Sequence, residues 1–149
     1  MPDRKAKTQR TIHHSAEQEL AAAEDRLIFS FRYADHGYRG AWAWPRAAEA
    51  EEVLNFFCHI GSSTWNEVKG QMTGSRSGSH RKHHEQHVEH LCSEAQQRLV
   101  ALKHTHKFGT TIFRFRVGGR KRLWGFVNHG VFYVVWWDAE HQVYPIAKK

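Results

Sequence analysis

Seven consecutive apolar residues, Val131-Phe-Tyr-Val-Val-Trp-Trp137, constrain the fold of this chain more than any other feature. The run is rich in β-branched and aromatic residues and far too short to cross a bilayer. It fits a strand covered on both faces. Two further segments lead into it. Phe113, Phe115 and Val117 alternate with Arg114 and Arg116, the period of a half-buried strand. Arg122 to Val127 forms the next apolar run, and Gly118-Gly119 and Asn128-His129-Gly130 are turn signals between the segments. Residues 110–145 therefore predict a three-stranded antiparallel meander. Arg114 and Arg116 cannot enter an apolar core unpaired, so they belong on its open face.

The rest of the chain supplies what packs against this sheet. With 149 residues, 40% of them hydrophobic and 13% aromatic, the sequence reads as a single domain over 1–149 with a real core. Residues 1–14 read as a flexible basic tail carrying Arg4, Lys5, Lys7 and Arg10. Ser15-Ala-Glu-Gln18 has the capping-box pattern and predicts a short helix to Ala23. Leu27 to Tyr33 reads as a strand and Tyr38 to Trp44 as another. Pro45 opens a helix with Ala50, Val53, Leu54 and Phe57 on its core stripe and Gly61 as its C-cap. Thr64-Trp-Asn-Glu67 opens a short helix, and Gly70 to Ser79 is a Gly/Ser-rich loop. Val88, Leu91, Ala95, Leu99 and Leu102 recur at helical spacing and predict a long helix from His80 to Lys103. The sum is an α+β domain: an antiparallel sheet ending in the meander, with helices packed on one face.

Charge narrows the choice of partner. The formal net charge is +7, and no acidic residue falls between Glu94 and Asp138, an interval that holds Arg98, Lys103, Lys107, Arg114, Arg116, Arg120, Lys121 and Arg122. Such clustering favours a polyanion, nucleic acid before membrane. Cys58 and Cys92 fit no zinc or redox spacing. Both occupy apolar helical positions and are expected to be buried thiols. With no apolar leader at the start, the expected compartment is the cytoplasm.

Two constellations carry candidate chemistry. The first is the histidine group His80, His83, His84, His87 and His90. On a helix, His80 and His84 would lie one turn apart, as would His83 and His87. The order is not that of HExxH, so the group reads either as a cationic surface near an anion, with His84 able to move a proton, or as a metal site. The second is the basic sheet face. Arg114 and Arg116 project together, Arg120-Lys121-Arg122 lies at the hairpin, and Asp138, His141 and Tyr144 follow the last strand and can return beside the arginines. Those residue types suffice to cleave RNA with no metal or cofactor. A base takes the 2′-hydroxyl proton, cations stabilise the phosphorane, and an acid protonates the 5′-oxygen. Arg116, Arg122, His141 and Tyr144 are the leading catalytic candidates, with His84 and Glu67 from the preceding segments; Glu67 has the competing role of closing its helix cap. Arg114, Arg120, Lys121, Lys103 and Lys107 are candidate nucleic-acid contacts.

The run FRFRVGGRKRLWGFVNHGVFYVVWWDAEHQVY, together with the order strand, helices, antiparallel strands, resembles the RelE/ParE toxin superfamily. The resemblance rests on Arg116 before the glycine turn at Gly118, Arg122 opening the next strand, the apolar strand Val131 to Trp137, and the late pair His141 and Tyr144. The sequence departs from the family's pattern in its greater length and in Gln142, where an arginine often follows the histidine. The resemblance implies a RelE-like fold and a toxin that cleaves mRNA, typically on the ribosome, and is neutralised by an antitoxin protein. Its ParE branch implies instead a gyrase-targeting toxin. A non-enzymatic basic module that binds nucleic acid or protein, of phage or plasmid type, would use the same face without His/Tyr chemistry.

Overall fold

A computed structural model describes residues 25–44, 47–74 and 78–145. The expected basic tail and the helix at 15–23 lie outside them. In chain order the elements are β1 (Ile28–Ser30), α1 (Ala47–Ile60), α2 (Trp65–Gly70), β2 (Met72–Thr73), β3 (His80–Arg81), β4 (His84–His87), a 3-10 turn (Val88–His90), α3 (Ser93–Ala101), α4 (His104–Phe108), β5 (Thr111–Gly118), β6 (Lys121–Asn128) and β7 (Val131–Asp138). Five strands form one sheet in the order β1-β7-β6-β5-β4, and β2 pairs with β3 in a separate small hairpin.

The meander is the centre of this sheet. β5, β6 and β7 pair antiparallel through two-residue loops. His129 and Gly130 both take positive φ, as a type I′ hairpin requires. In the other loop, Gly119-Arg120, only Gly119 does so, so the turn sits one residue later than the Gly118-Gly119 signal suggests. A bulge interrupts the β6–β7 pairing between Trp124 and Gly125. A Cβ at position 125 would collide with the carbonyl oxygen of Tyr133 and the ring of Phe132, so only glycine fits there.

The fold class is α+β, with two corrections to the expected architecture. The sheet is mixed, because β1 runs parallel to β7. Helices also cover both faces rather than one, because alternate residues of β5 belong to different cores. Phe113 and Phe115 pack with Phe132, Val134 and Trp137 under α1 and α2, through Val53, Ile60, Trp65 and Val68. Ile112, Trp124, Phe126 and Trp136 pack instead under α3 and the segment 38–43. A strand buried on both sides needs a cover on each, which is why β7 reads as apolar throughout.

Local details correct further expectations. The segment 38–44 is not a strand; Tyr38 and Trp42 stack on each other with ring centres 4.9 Å apart and plug the second core. Residues 80–103 do not form one helix. His80–Arg81 and His84–His87 are extended, and helix begins only at Ser93. On α1 the inward stripe is Val53, Phe56, Phe57 and Ile60, while Ala50 is exposed and Leu54 is 61% exposed. Cys58 faces outward and Cys92 is half-buried at the N-cap of α3, so neither is a core thiol. Thr64 caps α2 as the sequence implies, accepting from the Glu67 N–H at 3.2 Å. No described helix is long and apolar enough to cross a membrane.

Candidate phosphate-binding site

Strand register gathers the cations. Across four strands of one sheet face, His84 stands opposite Arg114, Arg114 opposite Trp124, and Trp124 opposite Trp136. One step along, Arg116 stands opposite Arg122 and Arg122 opposite Asp138. This is the face whose other end, Ile112 and Phe126, is sealed by α3 and α4. Three arginines from β5 and β6 thus lie side by side where apolar cover stops.

The chain after β7 folds back over them. Val143 is buried in the second core, and its carbonyl accepts from the Cys92 N–H at 2.9 Å. That anchor places His141 and Tyr144 against Arg114. An Arg114 Nη1 donates to His141 Nε2 at 3.2 Å, and the guanidinium lies 5.5 Å from the Tyr144 ring centre and 6.0 Å from that of Trp124. The His141 and Tyr144 rings are 6.5 Å apart. His141 adopts φ 57°, a left-handed conformation that is uncommon for a side-chain-bearing residue.

Hydrogen bonds leave part of this cluster unsatisfied. Arg122 is 7% exposed and His141 6% exposed. Arg122 Nη1 donates to the carbonyls of Gly119 at 2.8 Å and Lys121 at 3.0 Å, but its buried Nε has no partner among the described residues, and neither has His141 Nδ1. Because a guanidinium only donates, His141 Nε2 is the acceptor and the ring proton resides on Nδ1. Two buried donors therefore stand uncommitted beside three like charges. Burial, with Arg114 and Arg116 adjacent, pushes the Arg122 guanidinium down to about 10. Burial also lowers Arg114, with Arg116 adding to the effect. The same causes hold His141 below the usual imidazole range: burial first, then Arg122 and Arg114. His84 is lowered as well, by burial and by Arg114. Like charges held this close in a buried setting repel one another.

Some of the expected site residues lie elsewhere. Glu67 is exposed on α2, which packs on the opposite face of the sheet from the arginines; its backbone N–H, and not its carboxylate, makes the bond to the Thr64 cap. Lys121 is bound by Glu52 of α1, at 2.7 and 2.5 Å from the two carboxylate oxygens. Arg120 is at the hairpin tip, 3.8 Å from Glu140. Lys103 is the N-cap of α4, and Lys107 lies over the Tyr33 ring and donates to its hydroxyl. Helix α4 packs on Phe126, four residues along β6 from Arg122. Of the proposed cations, Arg114, Arg116 and Arg122 come together, joined by His84, His141 and Tyr144.

The histidine group separates into different roles once β3 and β4 are extended. His83 is buried; its Nδ1 accepts from the Arg116 N–H at 3.0 Å and its Nε2 donates to Gln71 Oε1 at 2.9 Å. It continues the edge of the sheet beyond β4 and, with the Arg116 Nη1 to Thr73 Oγ1 bond at 3.1 Å, ties the β2–β3 hairpin to β5. Burial lowers its imidazole to about 4. His80 and His84 have ring centres 6.4 Å apart, and no group of three His, Cys, Asp or Glu among the described residues converges as a metal site would require. A cleft of about 410 Å³, lined by Lys69, Arg81, His83, His84, Glu85 and Phe113, lies at the β4 edge; Lys69 of α2 and the Glu85–Phe113 pair place it on the α2 side of the sheet, with His84 at its boundary with the arginine face. The roles of His83 and Thr73 carry no sequence signal, because they depend on where a short hairpin lands.

Comparison with protein-family models, with curated proteins and with solved structures gives no match to this chain.

Proposed function

We propose that this face binds the phosphodiester backbone of RNA and cleaves it, in the manner of a RelE-like endoribonuclease toxin held in check by an antitoxin protein. One observation carries the reading. Arg114 and Arg116 line one patch with His84 and Tyr144, over buried Arg122 and His141, and none of the three arginines is paired with a carboxylate among the described residues. A phosphate on Arg114 and Arg116 relieves the mutual repulsion of the guanidinium groups.

The chemistry follows from the protonation states. His84 and His141 are both neutral at pH 7, given the direction of their shifts. His84, half-buried at the sheet edge, takes the proton of the 2′-hydroxyl as the 2′-oxygen attacks phosphorus. Arg114 and Arg116, with the Arg122 charge behind them, stabilise the charge on the phosphorane oxygens. The bond to the 5′-oxygen breaks, that oxygen takes a proton from the Tyr144 hydroxyl, and the proton held by His84 returns to Tyr144 through solvent.

The deciding experiment is induced expression in bacteria of the intact chain beside the Arg122→Ala/His141→Ala double variant, with growth and mRNA integrity followed together. Arrest with mRNA cleavage, both relieved by the substitutions, is the expected result. Arrest with intact mRNA overturns the nuclease reading in favour of another target, such as gyrase. With purified protein, binding of a short single-stranded RNA should weaken with salt with a log–log slope of about −2, the value for three phosphate contacts. Binding of that kind without cleavage leaves a non-enzymatic nucleic-acid module.

A further inference from the structure

Asp138 ends β7 opposite Arg122 and is fully buried. A carboxylate there has two possible uses: to neutralise the arginines or to build something beside them. The hydrogen bonds decide between these. Its Oδ1 accepts from the Gln142 N–H at 2.8 Å, and its Oδ2 accepts from the Val143 N–H at 2.9 Å and from Trp124 Nε1 at 3.3 Å. All three donors are neutral. No Arg122–Asp138 ion pair forms, and Arg122 turns its Nη1 to backbone carbonyls of its own hairpin instead. The two backbone bonds close a turn over 138–143, and at its apex stands His141 with its left-handed φ. Such a conformation persists where surrounding contacts over-determine it.

We propose that Asp138 is the positioning residue of this site: it locks the 138–143 turn so that His141 meets Arg114, and by committing both oxygens to neutral donors it leaves the three arginines without a carboxylate partner. The inference rests on the RNA-cleaving reading for its consequence in catalysis, but its geometric part can be tested separately. The ring of His141 is faced by Arg114 from β5, Arg122 from β6, Asp138 from β7 and Tyr144 from the tail. Asp138→Asn replaces one acceptor oxygen with a donor, which sets N–H against N–H inside the turn. Asp138→Ser keeps a single short acceptor of the type that supports turns through one backbone N–H.

The test is the titration of the His141 ring followed by NMR, with and without inorganic phosphate, in the full chain and in both variants. In the wild type, phosphate should raise the His141 midpoint. In whichever variant is folded, the midpoint without phosphate should move toward that of a free imidazole, near ~6.5. The phosphate response should then vanish, while phosphate affinity stays within threefold of the wild type. RNA cleavage by the variant should lose about a hundredfold in kcat with KM within threefold, the pattern of a misplaced group and not of a lost binding site. His141 titrating as in the wild type in both variants overturns the proposal, as does a wild-type His141 that ignores phosphate. Equal loss of phosphate binding and cleavage in step with lost stability also overturns it, since that marks a merely structural carboxylate. A wild type that shows the phosphate response yet leaves RNA intact removes the nuclease reading and leaves the positioning role standing.

Discussion

The two faces of β5 and β6 are built from alternating residues of the same strands, yet they do opposite things. Phe113, Phe115 and Leu123 point into a core of interlocking rings, where Phe115 lies within 4.8–6.1 Å, centre to centre, of Phe29, Phe56, Trp65, Phe113 and Phe132. Arg114, Arg116 and Arg122 point the other way, onto a patch where like charges are packed with too few acceptors. The first face is core throughout; the second is core only from Ile112 and Phe126 to Trp124, and beyond that its arginines crowd together. Stability and ligand affinity are therefore carried by adjacent residues of the same strand, and substitutions can separate them.

The largest separation should come from Phe115→Ala. It empties the centre of the aromatic core and should cost about 3–5 kcal/mol in chemical denaturation. RNA affinity of the fraction still folded should be unchanged; a fall in that affinity would mean that the two faces are not independent. Acid comes next. His83 is neutral in the native state down to about 4, whereas the unfolded chain protonates near 6.5. Between those values the unfolded state binds the extra proton, so stability is lost as pH falls from 6.5 toward 4. The shift corresponds to about 3 kcal/mol at most, seen as a drop in midpoint across that window. His83→Asn retains an acceptor for the Arg116 N–H and should flatten the drop; an unaltered pH profile would assign it to other groups.

Arg122→Met should lower RNA affinity at least tenfold, about 1.4 kcal/mol, while leaving thermal stability within about 1 kcal/mol of the wild type or above it. A large fall in stability would show that the guanidinium is structural. The smallest effect belongs to Lys121→Ala. Its pairing with Glu52 is half-exposed and on the α1 side of the molecule, so it should change stability by less than about 1 kcal/mol and RNA binding by less than twofold. A stronger loss of binding would extend the interface round the hairpin.

What the sequence discloses follows the range of the forces involved. The meander was legible because period-two alternation and turn residues are local signals, and the site residues on it were legible because a strand pattern fixes which side chains share a face. Tyr144 and His141 could be placed beside the arginines because only a few residues separate them from β7. The segment 80–103 was misread because Val88, Leu91, Ala95 and Leu99 do fall at helical spacing, and only pairing with β5 shows that His84 to His87 is extended. A polar edge strand has no periodic apolar signal of its own. The parallel pairing of β1 with β7 was equally invisible: it joins Ile28 to Val131, and nothing local in either segment specifies the partner. Glu67 went astray for a simpler reason, since capping and catalysis ask for the same residue type.

The β1–β7 pairing also bears on how the domain is made. Contacts within the meander close over a few residues each, but the β1–β7 contact closes a loop of about a hundred, the kind of closure that slows folding. During synthesis β1 emerges long before its partner exists, and its exposed strand edge must wait for β7. The last members of the proposed site to be made, Asp138, His141 and Tyr144, close or follow that partner strand. A nascent chain therefore carries its arginines before the residues that complete the proposed site, and that site is not assembled until the sheet has closed.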